Sequence, residues 1–236
     1  MTALVSGYLS EHTDELLRVG ARTLTLADAA DYVRAYVSGS ARSPKPFAYP
    51  AYDGYPGSPG LDVGPQDLLA PSLLNVPLRS LRTYYGLLDV LPRLNERLNR
   101  IPPQLALADA GGDMLTRAAD VFAVLDGPDA PVGASMTTLA KIVHRKRPAF
   151  LPLWDDHIAA CYVRAGADGV PRIQPDKRRC WRDFVALWLP ELQKDLRGHR
   201  EAWAVLAGLT PNGEPSITPL RALDIVGWHL GSPAGA

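Results

Sequence analysis

The chain has 236 residues, 47% of them hydrophobic and 21% charged, with 25 Lys and Arg balanced by 25 Asp and Glu. That length accommodates one large domain or two small ones with a substantial core, and the composition excludes a disordered or fibrous chain. Zero formal charge excludes a global field that would draw the protein to nucleic acid or an anionic membrane, so any such contact needs a local patch. The two cysteines, Cys161 and Cys180, are too few for a disulfide framework or a four-thiolate metal site and read as reduced. The opening MTALVSGYLSEHTDELL has no cationic stretch leading into an apolar run, and no window approaches about 18 uninterrupted apolar residues. A cytoplasmic location is expected.

In chain order, Thr25 and Asp28 form a start resembling a capping box, and Leu26, Ala29, Ala30, Val33 and Val37 follow at helical spacing. From Ser38 to Pro65 the pattern stops: six prolines, five glycines and three tyrosines fall within this stretch, which predicts a long loop or short-strand segment. Phe47, Tyr49, Tyr52 and Tyr55 favour packing over free solvation, either as a structural wrap or as a lid. Helical patterning returns at Pro65 and runs through Leu81, Tyr84, Leu88, Leu91, Leu94 and Leu98, with an interruption expected near Pro92. Asp113 to Leu125 predicts another helix, and Met136, Leu139, Ile142 and Val143 give the next its apolar face. Trp181, Phe184, Val185, Trp188, Leu189 and Leu192 define a further helix that Pro190 bends or splits. His199–Leu209 and Leu220–Leu230 supply the last two, the second with Thr218 as N-cap and Pro219 at the first helical position. With no β-alternation after Pro65 and no internal repeat, the expectation is a mainly α protein. It is a single multi-helix domain over residues 1–236 with an irregular Pro/Gly/Tyr-rich N-terminal segment.

Side chains capable of chemistry concentrate in residues 131–162. Lys141, His144, Arg145, Lys146 and Arg147 crowd one helix end, and Asp155, Asp156 and His157 follow an apolar link. The basic group suits either a solvated helix C-terminus or a phosphate-contacting patch. Asp155 and Asp156 suit an N-cap, a functional carboxylate, or both. Metal-ligand spacings, a nucleophile elbow around Ser135 and phosphate-binding glycine loops are all missing, so neither a metal nor a cofactor is expected. The tryptophans fall at core spacing; Trp154, beside Asp155, is the one placed to line a pocket, together with Tyr49 and Tyr52 from the loop.

Pro131-Val132-Gly133-Ala134-Ser135-Met136-Thr137-Thr138-Leu139, followed by Leu153-Trp154-Asp155-Asp156-His157-Ile158, resembles the hairpin and VDTHV-like stretch of the helix-hairpin-helix DNA glycosylase superfamily. The resemblance implies a helix-hairpin-helix glycosylase-like fold. It places Asp155 on the family's catalytic aspartate, His157 on its histidine, and Gly133 on the first hairpin glycine. Thr137 falls where bifunctional members carry lysine, and Ser135 replaces the second glycine, so lyase chemistry is not expected. The implied partner is DNA, with Gly133, Ser135, Thr137, Lys141, His144, Arg145, Lys146 and Arg147 near phosphates and Asp155 stabilising oxocarbenium character at C1′ of a flipped nucleotide.

Over most of the chain, Phe47–Asp53, the segment KIVHRKRPAFLPLWDDHI, and Pro219-Leu220-Arg221-Ala222-Leu223-Asp224 also look like an uncharacterised bacterial domain family, which implies a shared fold without an activity. Three functions stay open: a monofunctional N-glycosylase, a non-catalytic nucleic-acid or protein binder, and a small-molecule enzyme using Asp155, Asp156 and His157 with His144. An open basic cleft favours the first, and a closed pocket the last.

Overall fold

Local signals decide most of the helices. The computed structural model describes residues 3–39, 47–163, 170 and 179–232, so part of the 38–65 segment, residues 40–46, lies outside the described residues. Thr25 accepts a hydrogen bond from the Asp28 N–H and opens α2 (Leu26–Ser38), which buries Leu26, Ala29, Ala30, Val33, Tyr36 and Val37. The following α3 (Leu81–Leu98), α4 (Gly112–Phe122) and α5 (Met136–Val143) lead to α6 (Asp156–Tyr162) and α7 (Trp181–Gly198). Then come α8 (Arg200–Ala207) and α9 (Pro219–Gly231), the last with Thr218 capping and Pro219 at its first turn. The protein is mainly helical, as the periodicity predicts.

Three features differ from the sequence expectation. The described part of the Pro/Gly/Tyr-rich segment, residues 47–64, is irregular as expected, but the chain ahead of α2 is not: α1 (Ala3–Glu11) precedes an antiparallel hairpin of β1 (Leu16–Val19) and β2 (Arg22–Thr25). Its strands are only four residues long, too short for alternation to stand out. Gly20 turns the hairpin at φ 60°, and a Cβ there would lie 2.3 Å from the Cys161 carbonyl oxygen. Residues Pro65–Leu74, with Pro71 inside, form 3₁₀ turns instead of α-helix. Finally, Pro92 and Pro190 interrupt nothing: α3 and α7 run through them, because both prolines sit on exposed faces where the lost ladder bond meets water while the opposite face stays packed.

α9 is the central element. It packs on α6, α8 and α2, while α4 packs on α7. From Leu220 to Gly227 every residue of α9 is buried. Trp188, Trp203, Phe122, Phe150 and Phe184 fill one continuous core, with a small satellite of Tyr52, Ala70 and Leu153 beside it. Among the described residues no helix is long and apolar enough to cross a membrane.

The basic run after α5 is a clasp for the loop. Arg145 donates to the carbonyls of Asp53, at 2.9 Å, and Tyr55. Lys146 Nζ reaches the Ser58 carbonyl at 2.6 Å and Asp67 Oδ2 at 3.1 Å. Arg147 donates to Ile101 at 2.9 Å, to Leu98 at 3.2 Å and to Leu61 at 3.3 Å. Successive residues thus hold successive parts of the segment from 53 to 61, with Asp67 also accepting from the backbone of Ser58 and Gly64. Since the Lys146 and Asp67 side chains are 6% and 1% exposed, breaking this pair strands a buried charge. Asp67→Ala is expected to destabilise the fold by about 3–5 kcal/mol in urea melts. Adding Lys146→Met should restore part of that loss; a double variant no better than the single one would place the cost elsewhere.

Candidate functional site

A helical stretch buried on every side, as α9 is from Leu220 to Gly227, has no solvated face, so charged residues within it need internal partners. α9 carries two, Arg221 and Asp224, three residues apart. Arg221 is gripped by Asp53, its Nε 2.8 Å from Oδ1 and its Nη2 3.3 Å from Oδ2. Its Nη1 donates to Asp224 Oδ2 and its Nη2 to the Tyr36 hydroxyl at 2.6 Å. The guanidinium carbon lies 5.4 Å from the Tyr36 ring centroid and 5.3 Å from that of Tyr52. The 47–55 loop, α2 and α9 therefore meet at one cation.

Beside it is a half-enclosed cavity of about 120 Å³. Lys141, Asp155, Arg221 and Asp224 form its polar wall, and Tyr36, Phe47, Leu153, Ile225 and Trp228 most of the apolar remainder. Asp155 is the N-cap of α6: its Oδ1 accepts from the backbone N–H groups of His157 and Ile158, each at 3.1 Å. Its Oδ2 faces Lys141 Nζ at 3.5 Å, with the lysine side chain 3% exposed and the aspartate 22%. Burial pushes the Asp224 carboxyl up from 3.8 to about 6, against the opposing pull of Arg221 and with a further push from the Asp155 charge. Two carboxylates of different character thus share one cavity.

Of the predicted site residues, the cavity gathers Asp155 and Lys141. Asp156 is exposed and outside the lining, and His157 bonds through Nδ1 to the Gly231 carbonyl at 3.1 Å while its ring packs edge-on against Trp228. His144 is buried, not on the surface; its Nδ1 lies 2.7 Å from the Leu151 carbonyl, which only accepts, so Nδ1 carries the proton. Burial and the Arg221 charge push its pKa down to about 3. The phosphate-contacting role expected of His144, Arg145, Lys146 and Arg147 meets side chains turned inward, each bonded to the chain's own carbonyls, with Arg145 Nε buried and without a hydrogen bond among the described residues. Trp154 is core, edge-on to Phe184 and Trp188. Tyr49 and Tyr52 are buried outside the cavity lining, donating to the carbonyls of Pro215 and Lys141.

Gly133, at φ 76°, lines a separate groove with Ser135, the N-cap of α5, and with Asn75, Arg79, Thr83 and Thr138; Thr137 is half-buried on α5. Sequence reasoning missed Tyr36, Phe47, Asp53, Arg221, Asp224 and Trp228 as site residues. The available signal was an Arg and an Asp inside the otherwise apolar run Pro219–Trp228. Among the described residues no group of three His, Cys, Asp or Glu side chains is placed to hold a metal ion.

Fold and site together define a helical protein built round a buried ion network that borders a small cavity. The chain belongs to the family described as "Family of unknown function (DUF6308)", which matches residues 29–231 and so takes in every residue of the cavity. No curated protein and no solved structure matches the chain.

The two perturbed groups act oppositely on stability. His144, with its pKa lowered on folding from 6.5 to about 3, contributes stability that is present above pH 6.5 and lost as pH falls toward 3. Asp224, with its pKa raised from 3.8 to about 6, contributes stability that is present below 3.8 and lost as pH rises through 6. Between pH 6 and 4 the two nearly cancel. Asp224→Asn removes one of them, so chemical melts of the variant should lose about 2–3 kcal/mol more than wild type on acidification across that window. Parallel profiles would show that Asp224 does not titrate there.

Proposed function

We propose that the cavity is the working site of a small-molecule enzyme in which Asp155 is the base and Asp224, ionised at rest, relays the proton. The observation behind this reading is the inequivalence of the two carboxylates. Asp155 accepts two backbone N–H groups and faces Lys141, whereas burial pushes the Asp224 carboxyl up to about 6. General acid–base catalysis is most effective when the acting groups differ in this way and one has a pKa near the working pH. The substrate enters past Trp228, which is 40% exposed, and its reacting group lies against the polar wall. Asp155 takes a proton and Asp224 returns one. The half-enclosed cavity and the inward-turned basic run favour a small substrate over an extended polyanion.

A second reading has its own observation. Asn75 lines both this cavity and the groove holding Gly133, Ser135 and Arg79. A DNA strand with a phosphate at the hairpin would then present a flipped base to Asp155, which would stabilise positive charge at C1′, as in a monofunctional glycosylase.

Asp155→Asn separates chemistry from structure, since Asn caps a helix about as well as Asp. The variant keeps the cap but leaves the buried Lys141 ammonium without its carboxylate, so it should fold with reduced stability, and the folded protein should lose on the order of 10²–10³ in rate. Wild type and variant are assayed side by side on hydrolase and isomerase substrate panels and on duplex DNA for base release. Turnover of a small molecule by wild type alone supports the first reading, and base release by wild type alone transfers the assignment to the second. Equal turnover by both proteins removes Asp155 from the chemistry.

A further inference from the structure

The charges around the cavity do not balance in pairs. Asp53 holds Arg221 with both carboxylate oxygens, and Lys141 faces Asp155, each of these a matched pair. Asp224 is left to share Arg221 with Asp53, as the surplus carboxylate. Its side chain is nine-tenths buried; Oδ2 accepts from Arg221 Nη1, and no described residue donates to Oδ1. Asp224 lines the cavity, so a donor for this oxygen can come from there.

The groups facing Asp224 are Arg221 on its own helix, Lys141 from α5, Asp155 at the N-cap of α6, and the phenols of Tyr32 and Tyr36 from α2, with Asp53 beyond Arg221. Arg145 adds no charge to the cavity wall. It stacks on Tyr52, 5.5 Å from the ring centroid, and donates to loop carbonyls. The remaining walls include the aromatic rings of Tyr36, Phe47 and Trp228.

We infer that the cavity takes a compact organic cation, an amine with a small apolar or aromatic body, seated between Asp155 and Asp224 against Tyr36, Phe47 and Trp228. This inference rests on the small-molecule reading above and names its ligand class. An ammonium group supplies the missing donor to Asp224 Oδ1, neutralises the surplus charge and meets the negative faces of the rings. A neutral hydroxyl supplies a donor but no charge. A carboxylate adds a third negative group beside Asp155 and Asp224, which is unfavourable in a half-enclosed site.

The test uses three probes with one ring and different charge, benzylamine, benzyl alcohol and benzoate, titrated calorimetrically into the full chain at pH 7.5 and pH 5. Benzylamine should bind at least about tenfold more tightly than benzyl alcohol at pH 7.5, the worth of about one charge interaction, and benzoate should not compete. The preference should fall about tenfold at pH 5, where Asp224 takes up a proton, and likewise in Asp224→Asn. Trp228→Ala, which also removes the edge contact with His157 and so lowers the melting point, should weaken benzylamine severalfold in the folded protein. Benzyl alcohol or benzoate binding as tightly as benzylamine overturns the cation inference and leaves the small-molecule cavity standing. Failure of all three probes to bind at about 10 mM overturns both.

Discussion

The buried guanidinium of Arg221 is the constraint around which the rest of the structure is arranged. Its side chain is 4% exposed, and moving such a group out of water costs several kcal/mol unless good geometry offsets it. The offset comes from Asp53 in the loop, Tyr36 on α2 and Asp224 one turn along α9, with the rings of Tyr36 and Tyr52 at stacking distance. Tyr52 in turn donates its hydroxyl to the Lys141 carbonyl on α5 at 2.7 Å. One cation therefore fixes the mutual placement of the loop, α2, α5 and α9. An apolar residue at position 221 would ask less of its surroundings, but it would not specify this arrangement over neighbouring ones.

The clasp formed by Arg145, Lys146 and Arg147 applies the same physics to backbone carbonyls. Guanidinium and ammonium groups carry several donors and no acceptor, so they satisfy loop carbonyls as readily as they do phosphates. That equivalence is why a basic run in sequence did not distinguish a nucleic-acid patch from an internal fastening. The distinction lies in burial, which depends on where residues 53–67 run, and that path is set by contacts between positions about ninety residues apart.

Legibility followed the range of the interactions. The helices from α2 to α9 were readable because caps and apolar spacing act within a few residues: Thr25, Asp155 and Thr218 cap as their positions suggest, while the cap by Ser135 was not read. The hairpin was too short to show its period, and Pro92 misled because tertiary packing outweighed a local penalty; α7 likewise is not split at Pro190. Asp155 was legible through its cap. Arg221 and Asp224 were legible only as an anomaly inside an apolar helix, and their partners Asp53 and Tyr36, 168 and 185 residues away from Arg221, carried no local sign.

The cavity owes its geometry to two helices rather than to the loop. Asp224 belongs to α9 and Asp155 to the cap of α6, and these helices approach closely because two glycines of α9 permit it. A Cβ at Gly227 would stand 3.0 Å from Ile158 Cδ1, and one at Gly231 only 2.0 Å from the His157 carbonyl oxygen. Any side chain at Gly231 would push α6 outward from the residue that follows Asp156, carrying Asp155 away from Asp224. The separation of the two carboxylates is thus set by backbone contact, the least compliant kind, so their placement does not depend on how the 47–55 loop packs.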